Sequence, residues 1–93
     1  MTNLDNIRQM NSEEFISKSK EIVTKYVLNM NRGKGIHIFC VMVVWKGYIL
    51  ENQKALITTD LRDGMYYEVT YNAQKNEIDL NAYKKLENKC INL

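Results

Sequence analysis

A two-residue alternation of side chains runs through residues 65–72 and predicts a β-strand. A turn segment, residues 61–64, precedes it and ends in Gly64, which can adopt the positive φ that tight turns need. Residues 55–60 are predicted to be the preceding strand of the hairpin. The alternation puts Met65, Tyr67, Val69 and Tyr71 on one side of the later strand and Tyr66, Glu68, Thr70 and Asn72 on the other. It predicts a sheet with one packed face and one presented face, and it leaves open which side is which.

Helical spacing governs the chain from Asn11 to about Gly33. Asn11 is predicted to be the N-cap and Glu14 to occupy the third helical position, a variant of the capping box. Gly33 is a natural C-terminal stop. The apolar stripe of this predicted helix consists of Phe15, Ile16, Ile22, Val23, Tyr26, Val27 and Met30.

The segment 36–45 is rich in β-branched residues, and we interpret it as a further strand. Both of its faces are mostly apolar, which predicts a strand that is central or covered on both sides. Gly47 is expected to break it, with a bulge as one form of the break. Residues 51–53 are predicted to form the hairpin turn that follows.

The C-terminal part of the chain is harder to assign. Residues 72–76 form a polar turn, and residues 78–80 fit either a strand end or a helix start. We expect Asn81 to cap a final helix that runs to about Ile91. The inward side of that helix would carry Tyr83, Leu86 and Cys90.

These elements predict an α+β fold in the order α-β-β-β-α. The connections are short enough for hairpins, so the three-stranded sheet is antiparallel, with two helices packed on one face. Residues 1–10 are expected to be a flexible arm, and residues 11–93 a single α+β domain. Double-stranded-RNA-binding domains share this element order, as a similarity of topology only.

Composition narrows the class of protein. The chain has 93 residues, 45% hydrophobic and 26% charged, as expected for one small folded domain. Its net charge of +2 is too small to indicate nucleic-acid binding by itself. The longest apolar run is far short of the roughly 20 residues that span a bilayer, and the N-terminus lacks a signal-peptide pattern. We therefore expect a cytoplasmic protein with no membrane contact and two reduced cysteines.

No motif predicts catalysis. His37 and Cys40 are three residues apart and point to opposite faces of a strand, and two ligands are too few for zinc. Cys40 and Cys90 fit apolar packing positions, and turn chemistry explains Asp60 and Asp63 without a metal. We predict no catalytic residue, no metal site and no cofactor.

Two kinds of binding surface remain. Large amphipathic side chains are enriched at protein interfaces, and a sheet covered on one side leaves its other face free for a partner or for a second copy in a homodimer. The candidate protein-binding residues are Trp45, Tyr48, Tyr66 and Tyr71. The nucleic-acid alternative uses a predicted basic patch made of Arg32, Lys34, Lys84, Lys85 and Lys89.

Three segments resemble an uncharacterised family of small proteins encoded by phages and prophages of low-GC Gram-positive bacteria. They are MNSEEFISKSKEIV, VVWKGYILENQKALITT and DGMYYEVTYNAQKNEIDLNAYKKLENKCI, and together they span residues 10–91. The resemblance implies an intracellular accessory protein made in an infected host, in that host's cytoplasm. It carries no catalytic residues with it.

The hypothesis from the sequence is therefore a small non-enzymatic phage accessory protein that binds a host or phage protein, in host takeover or in the inhibition of a defence system. The alternative is a nucleic-acid-binding module with a topology like that of double-stranded-RNA-binding domains. Added salt distinguishes a nucleic-acid partner from a protein partner, because binding through phosphate contacts weakens steeply as the salt concentration rises.

Overall fold

A computed structural model describes residues 9–35 and 39–93. Within these residues, one helix lies on one antiparallel sheet of four strands, and neighbours in the sheet are neighbours in the sequence, in the order β1-β2-β3-β4. The first eight residues of the predicted arm and the predicted strand start at 36–38, with His37, lie outside the described residues. The elements are α1, Ser12–Met30; β1, Val41–Ile49; β2, Asn52–Thr59; β3, Met65–Asn72; and β4, Glu77–Lys84.

The predicted start of the helix is confirmed. The Asn11 side chain accepts a hydrogen bond from the Glu14 backbone N–H at 2.9 Å, and Glu14 Oε1 accepts one from the Asn11 N–H at 3.2 Å. This reciprocal pair satisfies two of the donors that a helix start leaves open. At the other end, Asn31 donates to the Val27 carbonyl from its backbone and from its side chain, so the helix closes before Gly33.

The core lies between α1 and one face of the sheet. Ser19 is fully buried on the helix, and its Oγ donates to the Phe15 carbonyl at 2.7 Å, so its hydroxyl is satisfied. Tyr26 meets Tyr67 edge to face with ring centroids 5.6 Å apart, and burial, then nearby Asp63 and Tyr26, raises the pKa of the Tyr67 phenol. The buried hydrophobic residues are Phe15, Val23, Val27, Ala55, Ile57, Tyr67, Val69 and Tyr71.

The predicted fold class is wrong in its C-terminal half. The described residues hold one helix and four antiparallel strands in place of two helices and three strands. The segment predicted to open the second helix is β4, which pairs with β3 from Asn72↔Glu77 to Met65↔Lys84. The turn before it contains Asn76 with a φ of 52°, a left-handed value that asparagine tolerates, and this turn closes the hairpin. The fold remains α+β.

The first strand also differs from its prediction. β1 pairs only with β2, so it is an edge strand and not a central one. Gly47 lies inside the strand, and the bulge falls earlier: Val43 pairs with Ile57 and Trp45 with Leu56, which leaves Val44 as the extra residue. By contrast, β3 has the predicted bounds, and the predicted turn before it contains Gly64 at φ 73°.

Beyond β4 the chain continues as residues 85–93, here called the tail, which contains no helix or strand. The Lys85 N–H donates to the Gly64 carbonyl at 2.7 Å and fixes the root of the tail. All nine tail residues are exposed; Leu86 is 98% and Ile91 76% accessible. The Cα radius of gyration is 16.0 Å, against about 12 Å for a compact domain of this length, so the molecule is extended.

The segment before α1 contacts the sheet. The Gln53 side-chain amide donates to the Met10 carbonyl at 2.8 Å, so the last residue of the predicted arm is held against the sheet.

In the described part of the chain, no helix is long and apolar enough to cross a lipid bilayer.

The turn between β1 and β2 generates a stability prediction. Leu50 and Glu51 are its two loop residues, between paired Ile49 and Asn52, and both have positive φ, at 50° and 68°. This is a type I′ turn, which favours Asn-Gly, and left-handed backbone costs about 1–2 kcal/mol in an ordinary residue. We expect Leu50→Asn with Glu51→Gly to raise the free energy of unfolding by about 1–2 kcal/mol. Urea denaturation measures it; an unchanged midpoint contradicts the turn assignment.

The capping box generates a second prediction. Asn11→Ala removes the side-chain acceptor for Glu14 N–H and should lower the free energy of unfolding by about 1 kcal/mol. Ser17→Ala, at an exposed helix position, is the matched control and should change it by a few tenths at most. Equal losses in the two variants would mean that the cap contributes nothing specific.

Candidate interaction face

The face of the sheet opposite α1, here called the open face, has no element covering it in the described residues. Side chains alternate along each strand, so the neighbours of the buried residues point to this face. The bulge at Val44 brings Trp45 and Gly47 onto it, because Trp45 pairs with Leu56 and Gly47 with Lys54. The open face is therefore formed by alternate residues of all four strands.

One end of the open face is apolar. Pairing across the sheet places Met42 beside Thr58, Thr58 beside Tyr66, and Tyr66 beside Tyr83. Trp45 is 45% exposed and Tyr83 is 52% exposed, although both are large. This group, here called the apolar cluster, consists of Met42, Trp45, Leu56, Tyr66 and Tyr83.

The indole of Trp45 lies directly on Gly47. A Cβ at position 47 would come within 2.7 Å of Trp45 Cζ2, which is closer than real Cβ contacts allow. Glycine at this strand position thus permits the ring to lie flat along the face. The resulting conformation keeps part of the indole in contact with the sheet and part in solvent.

The rest of the open face is mostly polar, with Ile49 as an exposed apolar residue opposite Asn52 at its other end. Lys54 Nζ lies 3.7 Å from Glu68 Oε1, and Asn81 Nδ2 donates to the same oxygen at 3.4 Å. Both ionic side chains are about one quarter exposed, so this pair is partly shielded. Asp79 and Glu77 continue the polar region along β4. An apolar patch with a polar margin beside it is a combination that protein interfaces use.

The four predicted protein-binding residues do not share one surface. Trp45 and Tyr66 lie on the open face. Tyr48 pairs with buried Gln53, so it points to the helix side of the sheet, where it is exposed beside the start of α1. Tyr71 is 3% exposed and its ring packs against Phe15 at 6.3 Å between centroids. Tyr71 therefore belongs to the core.

Sequence reasoning missed three members of the cluster: Met42, Leu56 and Tyr83. Leu56 alternates with buried Ala55 and Ile57, and that alternation was available in the sequence. The predicted strand that contains Met42 is central or covered on both sides, so the sequence pattern gives no reason to expect Met42 at the surface. Tyr83 was assigned to the inward side of a helix that is a strand here. The exposure of Met42 and Tyr83 depends on the order of the strands in the sheet, and the local sequence pattern does not contain that order.

The predicted basic residues lie mainly at one end of the molecule. Tyr26, near the end of α1, contacts Tyr67, and Lys84 pairs with Met65, so the end of the helix and the end of β4 meet the same end of the sheet. Arg32 and Lys34 follow α1, and Lys85 follows Lys84. Asp60 and Asp63 occupy the loop at this end too and reduce its net charge. Lys89 lies in the tail.

The two cysteines are free, and both are exposed. The prediction that they are core thiols is therefore wrong. The Cys40 backbone N–H donates to Asp60 Oδ1 at 2.9 Å, a contact that ties the start of β1 to the end of β2. Among the described residues, no three side chains of histidine, cysteine, aspartate or glutamate are grouped to hold a metal ion.

Gly47 provides a test of the open face. Gly47→Ala places a methyl group where the Trp45 ring lies, so we expect the indole to move off the strand into solvent. Trp45 is the single tryptophan, and its fluorescence maximum should shift to longer wavelength. Thr70→Ala, on the same face in β3, is the control and should leave the emission unchanged. An unshifted spectrum in Gly47→Ala would contradict the described ring position.

Comparison with known proteins adds a family but no function. No curated protein and no solved structure matches the chain. A model of a family of unknown function, DUF6275, matches residues 16–93, which include all four strands and all but the first turn of α1. Because this match covers well over half of the sequence, the chain belongs to the family of unknown function DUF6275.

Proposed function

We propose that this chain is a small non-enzymatic protein whose open face binds another protein. The single observation that carries the proposal is that the apolar cluster stands on an uncovered sheet face, with Trp45 and Tyr83 about half exposed. Exposed large aromatic side chains in a contiguous group mark interaction sites on soluble proteins.

The energetics suit such a role. A buried aromatic side chain covers about 150–250 Å², so the exposed halves of Trp45 and Tyr83 offer about 75–125 Å² each. At about 25 cal/mol per Å², covering both gives roughly 4–6 kcal/mol before the cost of association. Association itself costs at least about 4 kcal/mol, so binding requires the remaining cluster residues as well. The interface must therefore cover Met42, Leu56 and Tyr66.

The polar margin supplies orientation. Lys54 and Glu68 are already paired, so a partner does not need to neutralise either charge. Asp79 and Glu77 lie at the β4 edge, where basic groups of a partner would meet them. Charged groups at an interface rim mainly set association rate and specificity.

The biological setting that we propose comes from the resemblance given above. A phage accessory protein in the cytoplasm of an infected host needs no chemistry of its own if it acts by occupying a host or phage protein. Host takeover and the inhibition of a defence system are roles of that kind.

A nucleic-acid partner is the alternative. Arg32, Lys34, Lys84 and Lys85 lie at the same end of the sheet, which favours it, whereas Asp60 and Asp63 at that end oppose it. The similarity in topology to double-stranded-RNA-binding domains no longer supports it, because the final helix on which that similarity depends is β4.

Affinity purification from the natural host, with and without nuclease, tests the proposal. We expect the wild-type chain to retain a protein partner that resists nuclease and moderate salt. Trp45→Thr with Tyr66→Thr should weaken binding of that partner at least tenfold, since each hot-spot aromatic contributes more than about 1 kcal/mol. Tyr48→Thr removes an exposed aromatic from the helix side of the sheet and should bind like the wild type.

Two results would overturn the proposal. Loss of every bound molecule after nuclease treatment would assign the chain to nucleic acid. Equal binding by the open-face double variant and the Tyr48 variant would place the partner on another surface. Circular dichroism of each variant ensures that the comparison is between folded proteins.

A further inference from the structure

The outer edge of β4 is an open side of the sheet. β4 pairs with β3 on one side, and no other strand of the described residues pairs with its second side. The Lys85 N–H donates to the Gly64 carbonyl, so the backbone groups of residue 85 point toward β3. In an antiparallel ladder this direction alternates from residue to residue, so every second residue of β4 points its N–H and C=O away from the sheet. These outward residues are Ile78, Leu80, Ala82 and Lys84.

The β4 edge is more regular than the edge on the other side of the sheet. β1 contains the extra residue Val44, which interrupts the spacing of its outward backbone groups. β4 pairs with β3 at every residue from Glu77 to Lys84 without a bulge, and it contains no proline. Bulges and prolines are two means by which proteins prevent an edge strand from pairing with another chain. The β4 edge therefore lacks both of these protections.

The helix side of β4 is incompletely covered. α1 packs over β1, β2 and β3 rather than over β4. Ile78 and Leu80 contact the margin of the core and stay partly exposed, and Ala82 is exposed. A strand beside β4 would shield this apolar row from solvent, because directly opposed side chains of neighbouring strands are in contact.

The charges of β4 fit a second copy of the same strand. Glu77 and Asp79 lie at one end of β4 on the open-face side, and Lys85 lies at the other end, opposite Gly64. Two antiparallel copies centred on Asn81 place Glu77 of one copy directly opposite Lys85 of the other, and symmetry repeats this pair. Asp79 is then a diagonal neighbour of the same lysine. Opposite charges in such positions stabilise a strand pair.

The same register uses the full length of the strand. Leu80 lies opposite Ala82 of the second copy, and Ile78 lies opposite Lys84, so every outward N–H and C=O of β4 gains a partner. A shift of the register by two residues in either direction leaves one end of β4 opposite turn or tail residues, and it moves Glu77 away from Lys85. The centred register is therefore favoured by the backbone and by the charges together.

We propose that the chain forms a twofold homodimer through β4, in which two sheets join into one antiparallel sheet with Asn81 at the symmetry axis. Backbone hydrogen bonds supply the affinity, and the Glu77–Lys85 pairs set the register. The inference goes beyond the proposed function and does not depend on it.

The dimer leaves the open face available. Both open faces lie on the same side of the joined sheet, because directly opposed residues of antiparallel strands point to the same face. The second copy adds a strand beside the apolar cluster and nothing over it. A partner on the cluster is therefore compatible with the dimer, and only the acidic margin at Glu77 and Asp79 is shared by the two interactions.

The first test exchanges charges in the full chain. Sedimentation of the wild type over about a thousandfold range of concentration should show a dimer that dissociates on dilution. Glu77→Lys and Lys85→Glu each put like charges opposite each other twice, so each should raise the dissociation constant at least about tenfold. Glu77→Lys with Lys85→Glu restores opposite charges and should return the constant to within about threefold of the wild type. Lys20→Glu, the same charge change at an exposed position of α1, is the control and should dimerise like the wild type.

The second test measures the edge itself. Amide hydrogen exchange followed by NMR should show protection of the outward N–H groups of Leu80 and Ala82 that increases with protein concentration. Protection at Val41, in the other edge strand, should not change with concentration. Ala82→Pro removes an outward donor and no hydrogen bond to β3, so this variant should fold, as judged by circular dichroism, and stay monomeric.

Three outcomes overturn the inference. A wild type that is monomeric at every concentration removes the dimer. A double charge exchange that binds no better than the single variants shows that Glu77 and Lys85 are not opposed. Concentration-dependent protection at Val41 without protection at Leu80 and Ala82 places the interface at β1. Each of these outcomes leaves the proposed function standing, because that proposal fails on the capture experiment with the Trp45 and Tyr66 variant.

Discussion

The contact between α1 and one side of the sheet determines the rest of the molecule. Nineteen helical residues span about 28 Å, and their buried side chains reach β1, β2 and β3. Phe15, Val23 and Val27 meet the inward residues of those strands and form the one core of the described residues. No other helix is present among those residues to cover the second face. One face of the sheet is therefore buried under α1, and the other is exposed.

The features that depend on residues close together in the sequence could be predicted, whereas those that depend on strand pairing could not. The capping box of Asn11 and Glu14 and the alternation of β3 are encoded within a few residues, and both were identified correctly. β4 was not, because Ile78 and Leu80 fit a strand while Tyr83, Leu86 and Cys90 fit a helix. Pairing with β3 decides between these readings, and that pairing is a tertiary interaction that local propensity does not contain.

The candidate site shows the same limit. An apolar residue pattern on both faces of β1 predicted burial on both sides, yet the strand lies at an edge with one face in solvent. The sequence shows correctly that β1 is apolar on both faces. The prediction that another part of the same chain covers both faces is wrong. A strand that docks on another molecule has the composition of a central strand, so sequence patterns alone do not separate the two. Trp45 and Tyr66 were found, whereas Tyr71 had the same aromatic character and faces the core.

The extra residue in β1 decides which face of the sheet carries Trp45. Val41 and Val43 face the helix, and strict alternation would have sent residue 45 the same way. Because Val44 takes up one step without a partner, the two halves of the strand are out of phase, and the largest side chain of the protein faces outward. Without this one residue, strict alternation would point the side chain of residue 45 toward α1, and the open face would lose its largest aromatic group.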